Sequence, residues 1–546
     1  MLILLLNLLQ SGLSELAHDE AYYWVYSQSV EWGYFDHPPA IAWLVGLGYM
    51  LLENELGVRL FVVLANLLTI YLMYRITNPK EIKLFFLLLL SCVITHVGFL
   101  AVPDIPLLFS VALFFFFYKK YLVSYDFKNA LILGIVIALM GYSKYHGIVV
   151  LVSVLLSNLS LLRRKTFYLA VLAGAVLYTP HLYWQYINDF PTFRFHLFDR
   201  SAEAYSFAFL GEYILGQLLI FGPLVGFLLF WTLYRFKEEN QFERSLKFTC
   251  YGIFSFFLLS SLKGRVEPNW TAMAMVPLIY IGYHYIVGKD NLVSWTYRLA
   301  IPSLVLILSF RCILIVEILP KRIFPLASEF HGGQKWAKEL DELTEHKPAL
   351  FINSYQRASK YSFYGKNKGF AINNVGYAGS QFDLLIDDQE QLQGEKVAVV
   401  HLVGREQKGT LIGGKDNVVV DLQDEFYFYN RLKINVINPP DLLEVEESTS
   451  MKIEICNPTD QTVILHGNDR KDLSVGYISF DVKKWIGRSK KRSPIPVKEI
   501  HSGDCIPMTI TYTAPDSPGA YRYRMSINNG YYDERNDNFH QLKVIE

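Results

Sequence analysis

Two stretches near the start of the chain, HDEAYYW at residues 18–24 and WGYFDHPP at residues 32–39, set acidic side chains and histidines among aromatic ones. They lie between apolar segments, at 1–13 and 56–74, that are hydrophobic enough to enter a bilayer. The residues between those segments are too polar to cross a membrane and rich in Tyr and Trp, which favours two helices lying in the membrane interface, over 14–32 and 38–52. The sequence therefore predicts a membrane protein with polar chemistry at a membrane surface.

Apolar segments continue as far as residue 320. We expect about eleven spans in all, since a span needs roughly 17 to 25 residues and shorter ones survive inside a bundle. The further segments lie at 84–102, 105–118, 129–143, 147–162, 166–184, 207–234, 246–262, 271–287 and 294–318. The predicted fold class for residues 1–320 is a polytopic all-α membrane domain with interfacial helices.

Beyond residue 320 charge, Asn, Gly and Pro return, and two soluble domains are predicted. Residues 327–427 alternate helical and strand patterns, as in KWAKELDELTEH followed by PALFIN, and indicate a small α/β domain. Residues 428–546 contain short alternating runs separated by turn residues, which is typical of a β-sandwich. Cys456 and Cys505 share this region and can form one disulfide if their compartment is oxidising.

The distribution of charge predicts the orientation. The formal net charge is zero and no basic domain is present, so nucleic acid is not an expected partner. Lys and Arg are concentrated in the loops on one side of the predicted spans, as in RRK at 163–165, and the positive-inside rule puts that side in the cytoplasm. With the N-terminus inside and eleven spans, both soluble domains lie outside. We expect a multi-pass protein of a bacterial inner (cytoplasmic) membrane.

Ionisable residues at membrane depth or at its edge are costly and are candidates for function. Here they gather at the predicted outer ends of the spans, whereas a transporter would be expected to keep its key charges near the midplane. A carboxylate there can orient or deprotonate an acceptor, and cations can stabilise a departing phosphate. The outer group contains His18, Asp19, Glu20, Asp36, His37, His96, Asp104, Lys144, His146, His181, His196, Asp199, Arg200, Lys263, Arg265 and Glu267.

Asp19 and Glu20 are adjacent, so on a helix their side chains point about 100° apart. The two carboxylates are therefore expected to have different roles, one facing the substrate and the other orienting a partner.

Each candidate also has a structural interpretation. Asp19 can cap the interfacial helix, FDHPP can be only a helix start, and Asp104 can be an N-cap. Lys144 can extend to the headgroups, Arg265 and Glu267 can pair with each other, and His181 and His196 are more often satisfied loop histidines than ligands. The shared side of the membrane is what favours a functional interpretation.

The motifs DEAYYW, WGYFDHPP, VPDIPLLF, GYSKYHG, PHLYWQYINDFPTFRFH and KGRVEPNW together resemble the bacterial membrane glycosyltransferases of the GT-C type. Within that type they are similar to the protein O-mannosyltransferase-like family (glycosyltransferase family 39) and the aminoarabinose-transferase-like family. The resemblance covers residues 1 to about 400 and leaves out the sandwich domain.

The resemblance implies a role for several residues. Asp19 matches the catalytic carboxylate, Glu20 completes the acidic pair, and Asp104 matches a second carboxylate. Lys144 and Arg265 match phosphate contacts, while His37 stands where many members have Lys and must be protonated or donate a hydrogen bond to act there. Further substrate contacts are predicted at Asp36, Tyr22, His196, Glu267 and Trp270. Some members use a divalent metal ion; no ligand spacing here demands one.

The predicted function is an inverting transfer of a hexosyl or pentosyl group from a polyprenyl-phosphate donor to an acceptor on the outer face of the membrane. The acceptor, whether lipid, glycan or protein, and the sugar are not specified by the sequence. Membrane lipids are the other expected partners. One alternative is a permease or flippase for a lipid-linked glycan; another is an inactive scaffold whose sandwich binds cell-envelope partners.

Overall fold

The computed structural model describes residues 2–196, 206–318, 329–403, 409–413, 416–466, 473–481, 487–489 and 491–546. The chain divides into two compact units. The first, helical unit comprises residues 1–193 and 205–332, and the second, β-rich unit comprises residues 194–204 and 333–546. The predicted change from a helical half to a β-rich half is confirmed.

The helical unit is built around one apolar core. Its helices are Leu2–Leu13, His18–Ser27, Ala40–Tyr49, Glu55–Thr77, Ile82–Leu90, Val93–His96, Asp104–Val123, Phe127–Ser143, Gly147–Ser157, Lys165–Ile187, Pro191–Arg194, Phe207–Ile220, Val225–Arg235, Gln241–Ser261, Met275–Ile286 and Asp290–Ile315, with 3₁₀ turns at Leu159–Arg163 and Pro268–Ala274. Met275–Ile286 is buried at nearly every position, because it is apolar all round and lies inside the bundle.

Three helices in the described part of the chain are long and apolar enough to cross a membrane: Glu55–Thr77, Asp104–Val123 and Asp290–Ile315. The bent pair Phe207–Ile220 and Val225–Arg235 makes a fourth if it counts as one span. The chain is therefore a multi-pass membrane protein. The expected number of about eleven spans stays a prediction, as does the interfacial position of the helices His18–Ser27 and Ala40–Tyr49.

The chain breaks within two of the predicted spans. The segment 207–234 forms two helices bent by 97°, with Gly222 and Pro223 at the break. Gly222 has φ 122°, which side-chain-bearing residues rarely adopt, and the following Pro disfavours α-helical backbone at the position before it. The segment 84–102 likewise separates into Ile82–Leu90 and Val93–His96, and the remaining residues lead to Asp104.

The β-rich unit begins with an α/β part. Its five strands lie in the order Gly369–Ile372, Ala349–Ile352, Glu395–Val403, Asp416–Phe426 and Thr410–Ile412. The first three run parallel, Asp416–Phe426 runs antiparallel to them, and Thr410–Ile412 pairs antiparallel with Asp416–Phe426. Its helices are Gly333–Leu343, Tyr355–Tyr364 and Ile386–Glu390, with a 3₁₀ turn at Gln381–Leu384.

Two sheets follow and enclose a common core; they are antiparallel except that Leu442–Glu444 pairs in parallel with His540–Ile545. One contains Gly487–Ser489, Ser474–Asp481, Gly519–Asn528, His540–Ile545 and Leu442–Glu444, with Ser493–Pro494 pairing Ser474–Asp481; the other contains Cys505–Thr513, Ser448–Cys456 and Lys433–Val436. A short pair joins Val463–Ile464 to Glu499–Ile500. Ile453 and Tyr512 of the smaller sheet are buried in one cluster with Tyr523 and Met525 of the larger. This is the predicted sandwich.

A disulfide joins Cys456 and Cys505, which pair directly across two antiparallel strands. The disulfide that was one possibility from the sequence is therefore present. The predicted domain boundary at 427–428 lies between the strands Asp416–Phe426 and Lys433–Val436. Both parts fall within one compact unit, joined for example by the Val375 N–H to the Asp533 carbonyl (2.8 Å), so independent domains stay a prediction.

Glu534 is a buried acid inside this unit. Its Oε2 accepts the Tyr429 N–H at 2.7 Å and its Oε1 accepts the Asn529 Nδ2–H at 2.8 Å. Burial raises the pKa of Glu534 to about 8, although these donors partly oppose the shift. The folded unit therefore holds Glu534 protonated at neutral pH.

The pH dependence of this unit's stability follows from the pKa of Glu534. Between pH about 4.5 and about 8 the unfolded chain ionises the acid while the folded chain does not, so stability falls as pH rises, by up to about 1.4 kcal/mol per pH unit from this group. Glu534→Gln removes that dependence. The stability of the variant relative to the wild type should rise across this range, measured at each pH by hydrogen exchange over residues 519–528 in the full chain. A pH-independent difference would contradict the account.

Candidate functional site

The HDEAYYW motif forms the start of the helix His18–Ser27. Ala17 is its N-cap residue, and the Glu20 side chain reaches back to accept the Ala17 N–H at 2.9 Å. Such a bond satisfies one of the N–H groups that a helix start leaves without an intrahelical partner. Asp19 is exposed and Glu20 is fully buried. Asp19 is not the N-cap, and the two carboxylates have different environments, as the helical spacing predicts.

Glu20 forms a fully buried ion pair with Arg59, which lies on the helix Glu55–Thr77. Arg59 Nε donates to Glu20 Oε1 at 2.7 Å, Nη2 donates to Oε2 at 2.5 Å, and neither side chain is exposed to solvent. This is the bidentate geometry in which a guanidinium binds a carboxylate most strongly. The guanidinium also donates to the backbone carbonyls of Ser11 (3.0 Å), Ser14 (2.7 Å) and Glu15 (2.8 Å).

The same carboxylate holds the segment that leads to Asp104. Glu20 Oε1 accepts the N–H of Ala101 at 2.9 Å, three residues before Asp104. Phe99, two residues earlier, lies between two guanidinium groups, those of Arg59 at 5.5 Å and Arg311 at 5.4 Å from the ring centroid. The first loop and the segment 97–103 are therefore fixed to each other.

Asp104 and Lys144 form a second buried ion pair. Lys144 Nζ lies 2.8 Å from Asp104 Oδ1, and the two side chains are 6% and 8% exposed. Asp104 is the first residue of its helix and caps no backbone N–H, and Lys144 does not extend to solvent, so both structural interpretations are wrong. Asn269 donates from Nδ2 to the other oxygen, Asp104 Oδ2, at 2.9 Å. VPDIP, GYSKYHG and KGRVEPNW thus meet at one carboxylate.

The WGYFDHPP motif lies against the first-loop helix. Tyr26 OH donates a short hydrogen bond to Asp36, and the Tyr26 and Tyr34 rings stack at 4.4 Å. Burial among these groups, with Asp36 beside it, raises the pKa of Tyr26 well above its usual value. The His37 ring lies edge-on to Tyr23 at 5.6 Å. The helix Ala40–Tyr49 starts directly after the two prolines, so FDHPP is also a helix start.

His181 connects this loop to GYSKYHG. One ring nitrogen lies 2.7 Å from the Trp32 carbonyl and the other 2.8 Å from Tyr145 OH. Gln185 donates to Tyr145 OH and also to Thr192, whose hydroxyl donates to the Tyr34 carbonyl at 2.9 Å. Both ring nitrogens of His181 therefore have hydrogen-bond partners, which agrees with the structural interpretation of this residue.

The contacts of the remaining predicted site residues follow. Arg265 is 60% exposed and lies between two carboxylates, 3.4 Å from Glu267 and 3.6 Å from Glu212, so the predicted pairing is present. The Trp270 ring packs on His146 at 5.3 Å. Tyr22 is buried against Tyr26 at 4.7 Å. His196 belongs to the second unit, where its ring contacts Phe195, and Asp199 and Arg200 lie outside the described residues.

No metal centre is evident in the described part of the helical unit, where no three acidic, His or Cys ligand atoms converge. Both oxygens of Asp104 accept hydrogen bonds from nitrogen donors, which leaves this carboxylate poorly arranged for a cation. The group contains an exposed carboxylate at Asp19 and a desolvated ammonium at Lys144. The carboxylate can activate an acceptor, and the ammonium can bind an anion.

Sequence reasoning missed Arg59 and Asn269. Arg59 is not among the predicted site residues, although it lies inside a 23-residue apolar helix and is fully buried. A lone Arg within an apolar helix is itself a signal, because such a charge needs a buried partner. Asn269 gave no comparable signal, since its partner is 165 residues away.

The chain is similar to several known proteins. The family model described as dolichyl-phosphate-mannose-protein mannosyltransferase matches residues 36–184. A lipid A galacturonosyltransferase, RgtD of Rhizobium johnstonii, is 24% identical over 336 residues, which is 57% of this chain and 66%, just under two thirds, of that protein. The crystal structure of apo ArnT from Cupriavidus metallidurans aligns with a TM-score of 0.56 and 14% identity, over 77% of this chain and 96% of that one.

These matches confirm the predicted resemblance to the GT-C-type membrane glycosyltransferases. At 14% identity the ArnT alignment shows the fold alone.

Removing one partner of a buried ion pair leaves an uncompensated charge and costs about 3–5 kcal/mol. Arg59→Met should therefore lower the thermal unfolding midpoint of the purified protein markedly, and adding Glu20→Gln should restore part of it. Arg75→Met is the matched control, because Arg75 lies at the other end of the same helix, is exposed, and donates to Tyr71 OH. Equal losses in Arg59→Met and Arg75→Met would contradict a stabilising role for the buried pair.

Proposed function

We propose that this chain, with its GT-C-type glycosyltransferase fold, moves a hexosyl or pentosyl group from a polyprenyl phosphate to an acceptor on the outer face of the bacterial cytoplasmic membrane. Sugar transfer is the activity named for the matching family model and for RgtD, each of which names a different sugar. The identity of the sugar and of the acceptor is left open for that reason.

The observation that carries the proposal is the hydrogen bond from the Ala101 N–H to Glu20 Oε1 at 2.9 Å. It ties the helix that bears Asp19 to the segment that ends at Asp104 and its partner Lys144. The motifs that contain Asp19 and Asp104, 85 residues apart in sequence, are thereby held together by the buried carboxylate of Glu20. Glu20 is buried and positions these segments, and the exposed Asp19 beside it is the carboxylate that we assign to the acceptor.

The transfer we propose is a single displacement with inversion. A nucleophilic atom of the acceptor attacks the anomeric carbon as the bond from that carbon to the phosphate oxygen breaks. The bonding electron pair leaves with the phosphate, and Asp19 takes the proton of the acceptor. The products are the glycosylated acceptor and polyprenyl phosphate.

The leaving phosphate needs positive charge and hydrogen-bond donors. Lys144 is assigned this role first, because its ammonium is desolvated and electrostatic contacts strengthen in a low-dielectric site. Asp104 keeps the ammonium in place. Arg265 and His37 are assigned supporting contacts with the phosphate. To make this contact, Arg265 must give up its ion pair with Glu267 or Glu212.

The remaining predicted contacts are assigned to the sugar and the acceptor. They are Asp36, Tyr22, His196, Glu267 and Trp270. Glu20 is assigned a positioning role through Arg59 and Ala101 in place of direct participation.

The proposal predicts that Asp19→Asn lowers transfer by about 100-fold or more, the usual contribution of a general base. The assay supplies radiolabelled polyprenyl-phosphate sugars to the purified full chain in detergent and measures labelled product. Transfer or hydrolysis in detergent identifies an enzyme, because a permease needs two compartments and forms no new bond.

Asp189→Asn is the matched control. Asp189 is another aspartate on the predicted outer side, and its φ of 63° is one that Asn also adopts readily. This variant should keep the wild-type rate. Full activity of Asp19→Asn would remove Asp19 from the mechanism.

A further inference from the structure

Asn269 contacts the buried Asp104–Lys144 pair from a separate part of the chain. Its Nδ2 lies 2.9 Å from Asp104 Oδ2, while Lys144 Nζ lies 2.8 Å from Oδ1. Each carboxylate oxygen therefore has its own donor, one neutral and one charged. Asn269 reaches this position from the 3₁₀ turn Pro268–Ala274, directly after the loop that carries Arg265 and Glu267.

The turn that carries Asn269 is fixed on both sides. Thr271 Oγ1 donates a short hydrogen bond to Gln217 and lies 3.1 Å from the Pro268 carbonyl. The Trp270 ring packs between His146, at 5.3 Å, and Phe257, at 5.9 Å. The neighbours of Asn269 thus hold its amide toward Asp104, although the residue itself is exposed.

Lys144 has more donors than the structure provides acceptors for. A protonated lysine carries three N–H donors. Among the residues that the structure describes, Asp104 is the one hydrogen-bond acceptor of Nζ, and the side chain is only 6% exposed. A buried ammonium in this state is suited to an anion that supplies further oxygens.

We propose that Asn269 is a positioning residue that keeps the contact between Asp104 and Lys144 monodentate, so that Lys144 retains N–H donors for the phosphate of a polyprenyl phosphate. The inference rests on the proposed function, because it concerns the same phosphate site. Asn269 acts through Asp104 and need not touch the substrate.

The physical reason is the freedom of a carboxylate to rotate about its last side-chain bond, whose torsion has a broad energy profile. With Asn269 on Oδ2, the carboxylate plane is held and only Oδ1 meets the ammonium. Without that amide, both oxygens can turn toward Lys144 and draw its remaining N–H groups away from an incoming anion.

The test is the binding of radiolabelled undecaprenyl phosphate to the purified full chain in nanodiscs, which does not require the sugar to be known. Asn269→Leu keeps the size of the side chain and removes the donor. We expect it to weaken binding about fivefold to tenfold, the equivalent of one hydrogen bond. Asn269→Ser, whose side chain is too short to reach Asp104, should show the same loss and serves as the second variant if the first folds poorly.

Asn188→Leu is the matched control. Asn188 also lies on the predicted outer side, but its amide donates to the Trp184 carbonyl of its own helix at 2.9 Å and does not contact the Asp104 pair. Binding of undecaprenyl phosphate to this variant should equal that of the wild type.

A double-mutant cycle separates positioning from a direct contact or a general effect on folding. In an Asp104→Ala background, Asn269→Leu should cause no further loss of binding. An undiminished loss there, or wild-type binding by Asn269→Leu alone, would overturn the inference while leaving the proposed function intact. A wild-type protein that fails to bind undecaprenyl phosphate would overturn both.

Discussion

The fully buried ion pair between Arg59 and Glu20 is the interaction on which the arrangement of the helical unit's polar residues depends. The guanidinium gathers the end of the first helix through backbone carbonyls, and the carboxylate holds the start of the second helix and Ala101. Burying two charges is costly, and the attraction between them offsets the cost only if nearly every donor and acceptor is satisfied. That condition makes the pair a strict constraint on how these segments fit together.

This constraint gives two carboxylates contrasting environments. Asp19, adjacent to Glu20, is exposed, while Asp104 is placed at the start of its helix, where Lys144 and Asn269 meet it. A desolvated ammonium attracts an anion strongly. Under the proposed function Asp19 takes the proton of the acceptor and Lys144 binds the phosphate, so the two roles belong to separate groups.

The sequence predicted what depends on local pattern. Helical apolar runs, the strand spacing of the sandwich and the helices within 14–32 and 38–52 follow from periodicity and turn residues. The 97° bend at Gly222 and Pro223 was missed although its cause is local, because the run around these two residues is apolar throughout. The prediction failed where the outcome depends on tertiary partners, as at Asp104, which looked like an N-cap. Asn269 could not be found at all, because no local rule links it to a carboxylate 165 residues earlier.

The central claim is that this chain forms a bond between a lipid-linked sugar and an envelope acceptor, and it is tested most directly in the cell. Mass spectrometry of lipids and glycans should compare the parent strain with one that lacks this protein. The account predicts that one species loses the mass of a single sugar residue while a polyprenyl-phosphate sugar accumulates. Unchanged lipids and glycans, with no accumulated donor, would contradict it.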